Sequence, residues 1–324
     1  MLKLIIILLA SKMAFANLCE PISEYKNISS HLYRYEKPMD RVNASNYLSF
    51  LSKEISQEIY KGYVSGSLNK DFFKTCLNED KDAKLLDSIS TAFKQNLLDD
   101  FSKSTVKPLR DLGSEYLSSP DLFIFQAKLK LPYKSDSKAG YYRISGAMYY
   151  MLPDIPHNEF KVIALHELLH KYDEKELYHS SGHYSDKAVM SRGWDLSQKY
   201  SSYSELNTVD RKFMSQYILN GLKRGFLAEF KAWAATYELY KKMRQSGEVN
   251  SVQWVDEILA QQGQQNYLDF IFDYYRERFV RPERKSLFAF ELLQDSYDVV
   301  LKDLKSKDKC QLMDDLAVFI DGCR

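Results

Sequence analysis

The chain has 324 residues, with 45 Lys and Arg against 44 Asp and Glu, so its formal net charge is +1 and no single sign dominates. That balance excludes the basic face a nucleic-acid partner needs. The hydrophobic share of 45%, with 24 Tyr and 18 Phe, is enough to bury a large core in one big domain or two.

The first element is an export signal. Lys3 precedes the apolar run Leu4 to Ala10, and Ala14-Phe15-Ala16 places small residues at the −3 and −1 positions of a cleavage site after Ala16. The run is too short to span a membrane, so residues 1–16 are expected to be removed and the protein to be secreted or periplasmic, with no transmembrane span. Leu18 precedes Cys19 where a lipoprotein carries a small residue, which argues against a lipid anchor. Four cysteines in an exported chain favour disulfides with three pairings open, of which Cys310 with Cys323 is the local one, leaving Cys19 with Cys76.

Residues 17–120 form a predicted helical region. Tyr47-Leu48-Leu51-Ile55-Ile59-Tyr60 and Leu85-Ile89-Phe93-Leu97 are apolar stripes at helical spacing. The period then changes: Phe125 to Leu131 alternates strictly and Tyr141 to Met151 is rich in aromatics, which predicts two strands paired antiparallel. Within the second, Gly146-Ala147-Met148-Tyr149 is a candidate edge that an extended peptide can join. Pro153 and Pro156 end it, and a helix capped by Asn158 is expected to run to Tyr172, its apolar arc being Ala164, Leu165, Leu168, Leu169 and Tyr172. Tyr178 to Gly193 reads as a loop, and helices resume near Val209 with breaks at Gly247, Gly263 and Pro282. The fold class is therefore α+β, helix-dominated, with a small, mostly antiparallel sheet; region 121–245 follows the N-terminal helices and a helical region, 246–324, closes the chain.

The chemistry lies in His166-Glu167-Leu168-Leu169-His170, an HExxH pattern. Histidines four apart share a helix face and can reach one metal ion, while Glu167, about 100° round from His166, can reach a metal-bound water as general base. A catalytic zinc site needs a third protein ligand and an open position. Glycine at 173 and histidine at 176 would complete HExxHxxGxxH, but Asp173 and Glu176 stand there. His179 and His183 are nearby histidines. Glu229 is the better ligand candidate, because it falls on an apolar stripe of Phe226, Phe230, Trp233, Ala234 and Tyr237, where a lone carboxylate is costly and a metal ion supplies a partner. Alanines at 228, 232, 234 and 235 allow the close helix approach that ligands from two helices require. Glu238, towards Lys241 and Lys242, is the weaker choice, and an internal ion pair with Arg or Lys is the plain alternative for Glu229.

His166-Glu167-Leu168-Leu169-His170 followed by Glu229-Phe230-Lys231-Ala232 resembles the gluzincin branch of the zincin metallopeptidases. The resemblance covers about 80 residues and is specific at HExxH. It implies a zincin-like catalytic domain binding one Zn²⁺ ion through His166, His170 and Glu229, with Glu167 as base and a peptide or protein as substrate. Two positions depart from the family pattern: Lys171 replaces an uncharged residue, and Trp233 stands where many gluzincins place an Asp that orients a zinc-bound His. Asp173, three residues past His170, is either that orienting partner or part of a solvated helix end. His183, Tyr178 and His179 are candidate donors to a developing oxyanion. The rival readings are a non-enzymatic exported helical binding protein, with HExxH coincidental or a structural site completed by His183 or Asp186, and a zinc amidase acting on cell-wall material.

Overall fold

The computed structural model describes the backbone of residues 18–35, 37–68, 70–119, 124–129, 139–142, 147–151, 155–180, 187–279 and 300–323. The expected signal segment, and the cleavage site within it, lie outside these residues. Two compact units divide the chain, Met1–Ala164 and Leu165–Arg324.

In the first unit the helical stripes bury as their spacing requires. Helices α1 (Cys19–His31), α2 (Pro38–Val64), α3 (Lys70–Cys76), α4 (Ala83–Ser102) and α5 (Lys107–Ser118) precede the sheet. Leu48, Leu51, Ile55 and Ile59 of α2 and Leu85, Ile89, Phe93 and Leu97 of α4 are all buried, each contributing about 1.5–3 kcal/mol of transfer free energy. Tyr47, at the edge of its stripe, instead donates its hydroxyl to Glu24 Oε1 at 2.8 Å. Phe93 is the hub of an aromatic cluster, with ring centroids 5.1 Å from Tyr60, 5.1 Å from Tyr63 and 6.0 Å from Phe160. Gly113 lets α5 approach α4, since a Cβ there would lie 2.5 Å from the Ser102 backbone nitrogen and 2.6 Å from the Phe101 carbonyl carbon. Cys19 and Cys76 are bonded, tying α1 to the end of α3.

The described strands are β1 (Ile124–Lys128), β2 (Ala139–Tyr142) and β3 (Ala147–Met151), in the order β1-β3-β2. The expected mostly antiparallel sheet is corrected. Tyr141 to Met151 is divided between two strands, β2 pairs antiparallel with β3, and β1 pairs with β3 in parallel, Phe125 opposite Met148. The proposed edge is corrected too: Ala147, Met148 and Tyr149 belong to the central strand, whose hydrogen-bonding sides both face neighbours, so no peptide can add there. Gly146 lies outside the described residues. Ser90 of α4 anchors the sheet, its hydroxyl accepting from the Ala127 amide at 2.8 Å.

Helix α6 (His157–Ser180) carries the HExxH residues and runs across the boundary between the units. It starts one residue before Asn158, which is therefore inside the first turn rather than capping it. The one-sided burial expected of it is also corrected. Ala164, Leu165, Leu168 and Leu169 are buried, but so are His166, Glu167, His170 and Asp173. Residues 164–170 are buried without a break, so this stretch presents no polar stripe to water.

The second unit continues with α7 (Lys187–Lys199), α8 (Thr208–Gln245), α9 (Gln253–Ala260), α10 (Tyr267–Phe279), a helical turn at residues 300–305 and the short α11 (Lys309–Leu312). The loop expected over Tyr178 to Gly193 is corrected, because Tyr178–Ser180 end α6 and Lys187–Gly193 belong to α7. Gly193 is helical for a packing reason: a Cβ at that position would come 2.5 Å from the Tyr217 ring. Asn207 caps α8 by accepting from the amides of Val209 and Asp210. Gly247 and Gly263 follow α8 and α9 in left-handed conformations, φ 75° and 60°, as the predicted breaks require, while Pro282 lies outside the described residues. Phe226 and Phe230 of α8 pack edge-on against Phe272 of α10, at 4.9 and 5.4 Å. Cys310 and Cys323 are bonded, closing the C-terminal segment. No helix among the described residues is long and apolar enough to cross a membrane.

Candidate metal centre

Helices α6 and α8 bring His166, His170 and Glu229 together within the second unit. The Nε2 atoms of His166 and His170 are 3.0 Å apart. Glu229 Oε2 lies 3.4 Å from His166 Nε2, and its Oε1 lies 3.4 Å from His170 Nε2. Donor atoms bound tetrahedrally at about 2.0–2.1 Å are separated by about 3.3 Å, so each of these contacts, the two from Glu229 made by different oxygens, is of the size found between ligands of one first-row metal ion. Among the described residues, these three form the group of His, Cys and carboxylate side chains spaced to hold a metal ion. Two imidazoles and a carboxylate are a common donor set for zinc and other divalent first-row ions.

His166 and Glu229 are in the protonation states a metal ligand needs. Burial, with His170 alongside, pushes His166 down to about 4, against smaller opposing pulls from Glu229 and the Ala232 carbonyl. Its imidazole is therefore neutral at pH 7. Burial would raise the Glu229 carboxyl, but hydrogen bonding to His166 and His170 outweighs it and holds the group well below the ordinary range. The Glu229 side chain keeps 41% of its surface exposed, although both histidines are buried. The cluster is therefore open to solvent on the Glu229 side.

Trp233, one helical turn past Glu229, stacks its indole on the His166 ring, with centroids 3.8 Å apart and planes inclined by 24°. It is itself packed against Tyr237, Trp254 and Tyr275 at 5.1, 5.6 and 5.9 Å. An aromatic wall therefore lies against the face of the His166 ring. Asp173 is neither a solvated helix end nor a partner of the histidines; it is buried and paired with Lys231 Nζ at 2.6 Å. Glu238 pairs with Lys241 at 2.5 Å, away from the triad, as its position on α8 suggested.

Sequence reasoning missed the Lys231 to Asp173 pair and the Trp233 stack. The available signal was spacing, because Asp173 is three residues past His170 and Lys231 two past Glu229. Glu167 is buried on α6 next to His166. The side chains of Tyr178 and His179, and all of His183 and Asp186, lie outside the described residues. Comparison with family models, curated proteins and solved structures gave no match.

Proposed function

We propose that the protein is an exported zinc-dependent metallopeptidase of gluzincin type. The observation that carries the reading is the convergence of Glu229, from a helix some sixty residues downstream, on the two histidines of HExxH at 3.4 Å from each. The two disulfides, Cys19–Cys76 and Cys310–Cys323, fit an oxidising compartment, in keeping with export. Two histidines and a carboxylate serve several divalent metals, and zinc is the choice here because Glu167, next to a donor on the same helix, supplies the base that metal-assisted hydrolysis needs.

When bound, the ion supplies Lewis acidity, polarising an amide carbonyl and making a water acidic near neutral pH. His166 and His170 present neutral Nε2 lone pairs, and Glu229 presents a carboxylate that offsets part of the ion's charge. Trp233 holds the His166 ring in plane. Glu167 takes the proton of the attacking water on its carboxylate and returns it to the nitrogen of the leaving amine. Burial of that carboxylate keeps its proton transfers away from bulk solvent.

Glu167→Gln tests the assignment, because the amide keeps the shape and loses the basicity. The variant is expected to bind zinc at the wild-type stoichiometry and lose about 100- to 10,000-fold in hydrolysis of a quenched-fluorescent peptide library. Turnover equal to wild type would exclude Glu167 as the base.

A further inference from the structure

A buried ion pair sits immediately beyond the donor cluster and joins the same two helices. Lys231 Nζ lies 2.6 Å from Asp173 Oδ1, and the two side chains are 4% and 5% exposed. Lys231 Nζ also reaches Asp314 Oδ2 at 3.3 Å, but that carboxylate is 64% exposed and forms the outer end of the contact. On α6 the order is His166, His170, Asp173; on α8 it is Glu229, Lys231, Trp233. Each helix therefore carries a metal donor and, within three residues, one half of the bridge.

We infer that the Lys231–Asp173 bridge is a positioning device, setting the register of α8 against α6 so that Glu229 meets both histidines; this rests on the metal reading above. Around Glu229, α8 is buried at Ala228, Ala232 and Ala235, small residues that by themselves do little to fix a helix along its axis, so the bridge adds its alignment to that of the Trp233–His166 stack. A slip of one turn moves Glu229 by about 5.4 Å, more than its whole separation from the imidazoles. A desolvated charge pair is satisfied in one alignment only, since any other leaves a buried charge unpaired, and fixing register is the best-attested role of such pairs. The bridge belongs to the support of the site and not to its chemistry, as neither group is part of the donor triangle.

The test separates register from stability. Replacing both members with apolar residues of similar volume, Lys231→Met with Asp173→Leu, removes the buried charges together and so need not destabilise the fold. The full-length double variant is expected to melt close to wild type yet bind zinc about 10- to 100-fold more weakly in a chelator competition, the usual cost of losing a group that orients metal ligands. Should the double variant not fold, Asp173→Asn keeps the side-chain shape and removes the charge, and the same loss of zinc affinity is expected. Wild-type affinity in a folded double variant, or in Asp173→Asn where that stands in for it, would overturn the inference while leaving the metal site intact. A wild-type protein that takes up no zinc would overturn both.

Discussion

The two units bury different things. In the unit of residues 1–164 the core is mainly apolar and aromatic, built on α2, α4 and the cluster around Phe93, with Ser56, Ser90, Ser104 and the Lys26-paired Asp82 as its buried polar side chains. In the unit of residues 165–324, His166, Glu167, His170, Asp173, Lys231, Thr236 and Glu238 are buried among the hydrophobic residues. Apolar burial stabilises wherever it occurs, whereas a buried charge costs free energy unless a partner offsets it. The comparison therefore places the cluster of buried charged and metal-ligating side chains in the second unit, beside an apolar core of its own.

Removing function should give the largest effect, the 100- to 10,000-fold loss expected of Glu167→Gln, without a matching loss of stability. Removing stability should do the reverse. Phe93→Ala empties the hub of the aromatic cluster and is expected to cost about 3–5 kcal/mol in denaturant unfolding. Zinc stoichiometry of the folded fraction should stay unchanged. Gly113→Ala comes next, since its Cβ would meet backbone atoms at 2.5 and 2.6 Å that cannot turn aside; about 1–3 kcal/mol is expected, again with zinc binding intact.

The smallest effect is a dependence on pH. Burial, with Lys161 alongside, pushes His157 from the ordinary 6.5 down to about 4. As pH falls through this range the unfolded chain takes up its proton first, so stability declines between pH 6.5 and 4. His157→Phe keeps the edge-on contacts with Tyr60 and Tyr63, 6.3 and 6.0 Å between centroids. It should recover about 1–2 kcal/mol at pH 4 relative to pH 7, after discounting for partial exposure. An unchanged acid slope in urea titrations would show that His157 does not carry the effect.

How far the sequence could be read follows the same division. The α2 and α4 stripes were legible because each helix there has one buried face, and a period of 3.6 records it. The sheet order was not, since β1 skips its neighbour in sequence to pair with β3, and no local pattern specifies a parallel partner. The site was legible where chemistry dictates spacing: His166 and His170 from their four-residue separation, and Glu229 as a carboxylate on an apolar face. Lys231 and Asp173 were hidden because a lone charged residue on a helix reads as solvated until a partner of opposite sign is seen in front of it. The α6 surroundings were hidden for a related reason, as the unbroken burial of residues 164–170 leaves no polar stripe to give them away.

Zinc stoichiometry, measured by elemental analysis on purified wild type beside Glu229→Ala, tests the central claim most directly. One zinc per chain is predicted for wild type, with affinity lost by at least about tenfold in the variant and no loss of thermal stability in the metal-free protein. A wild type without zinc, or a Glu229→Ala protein that holds it as tightly, would contradict the three-donor site.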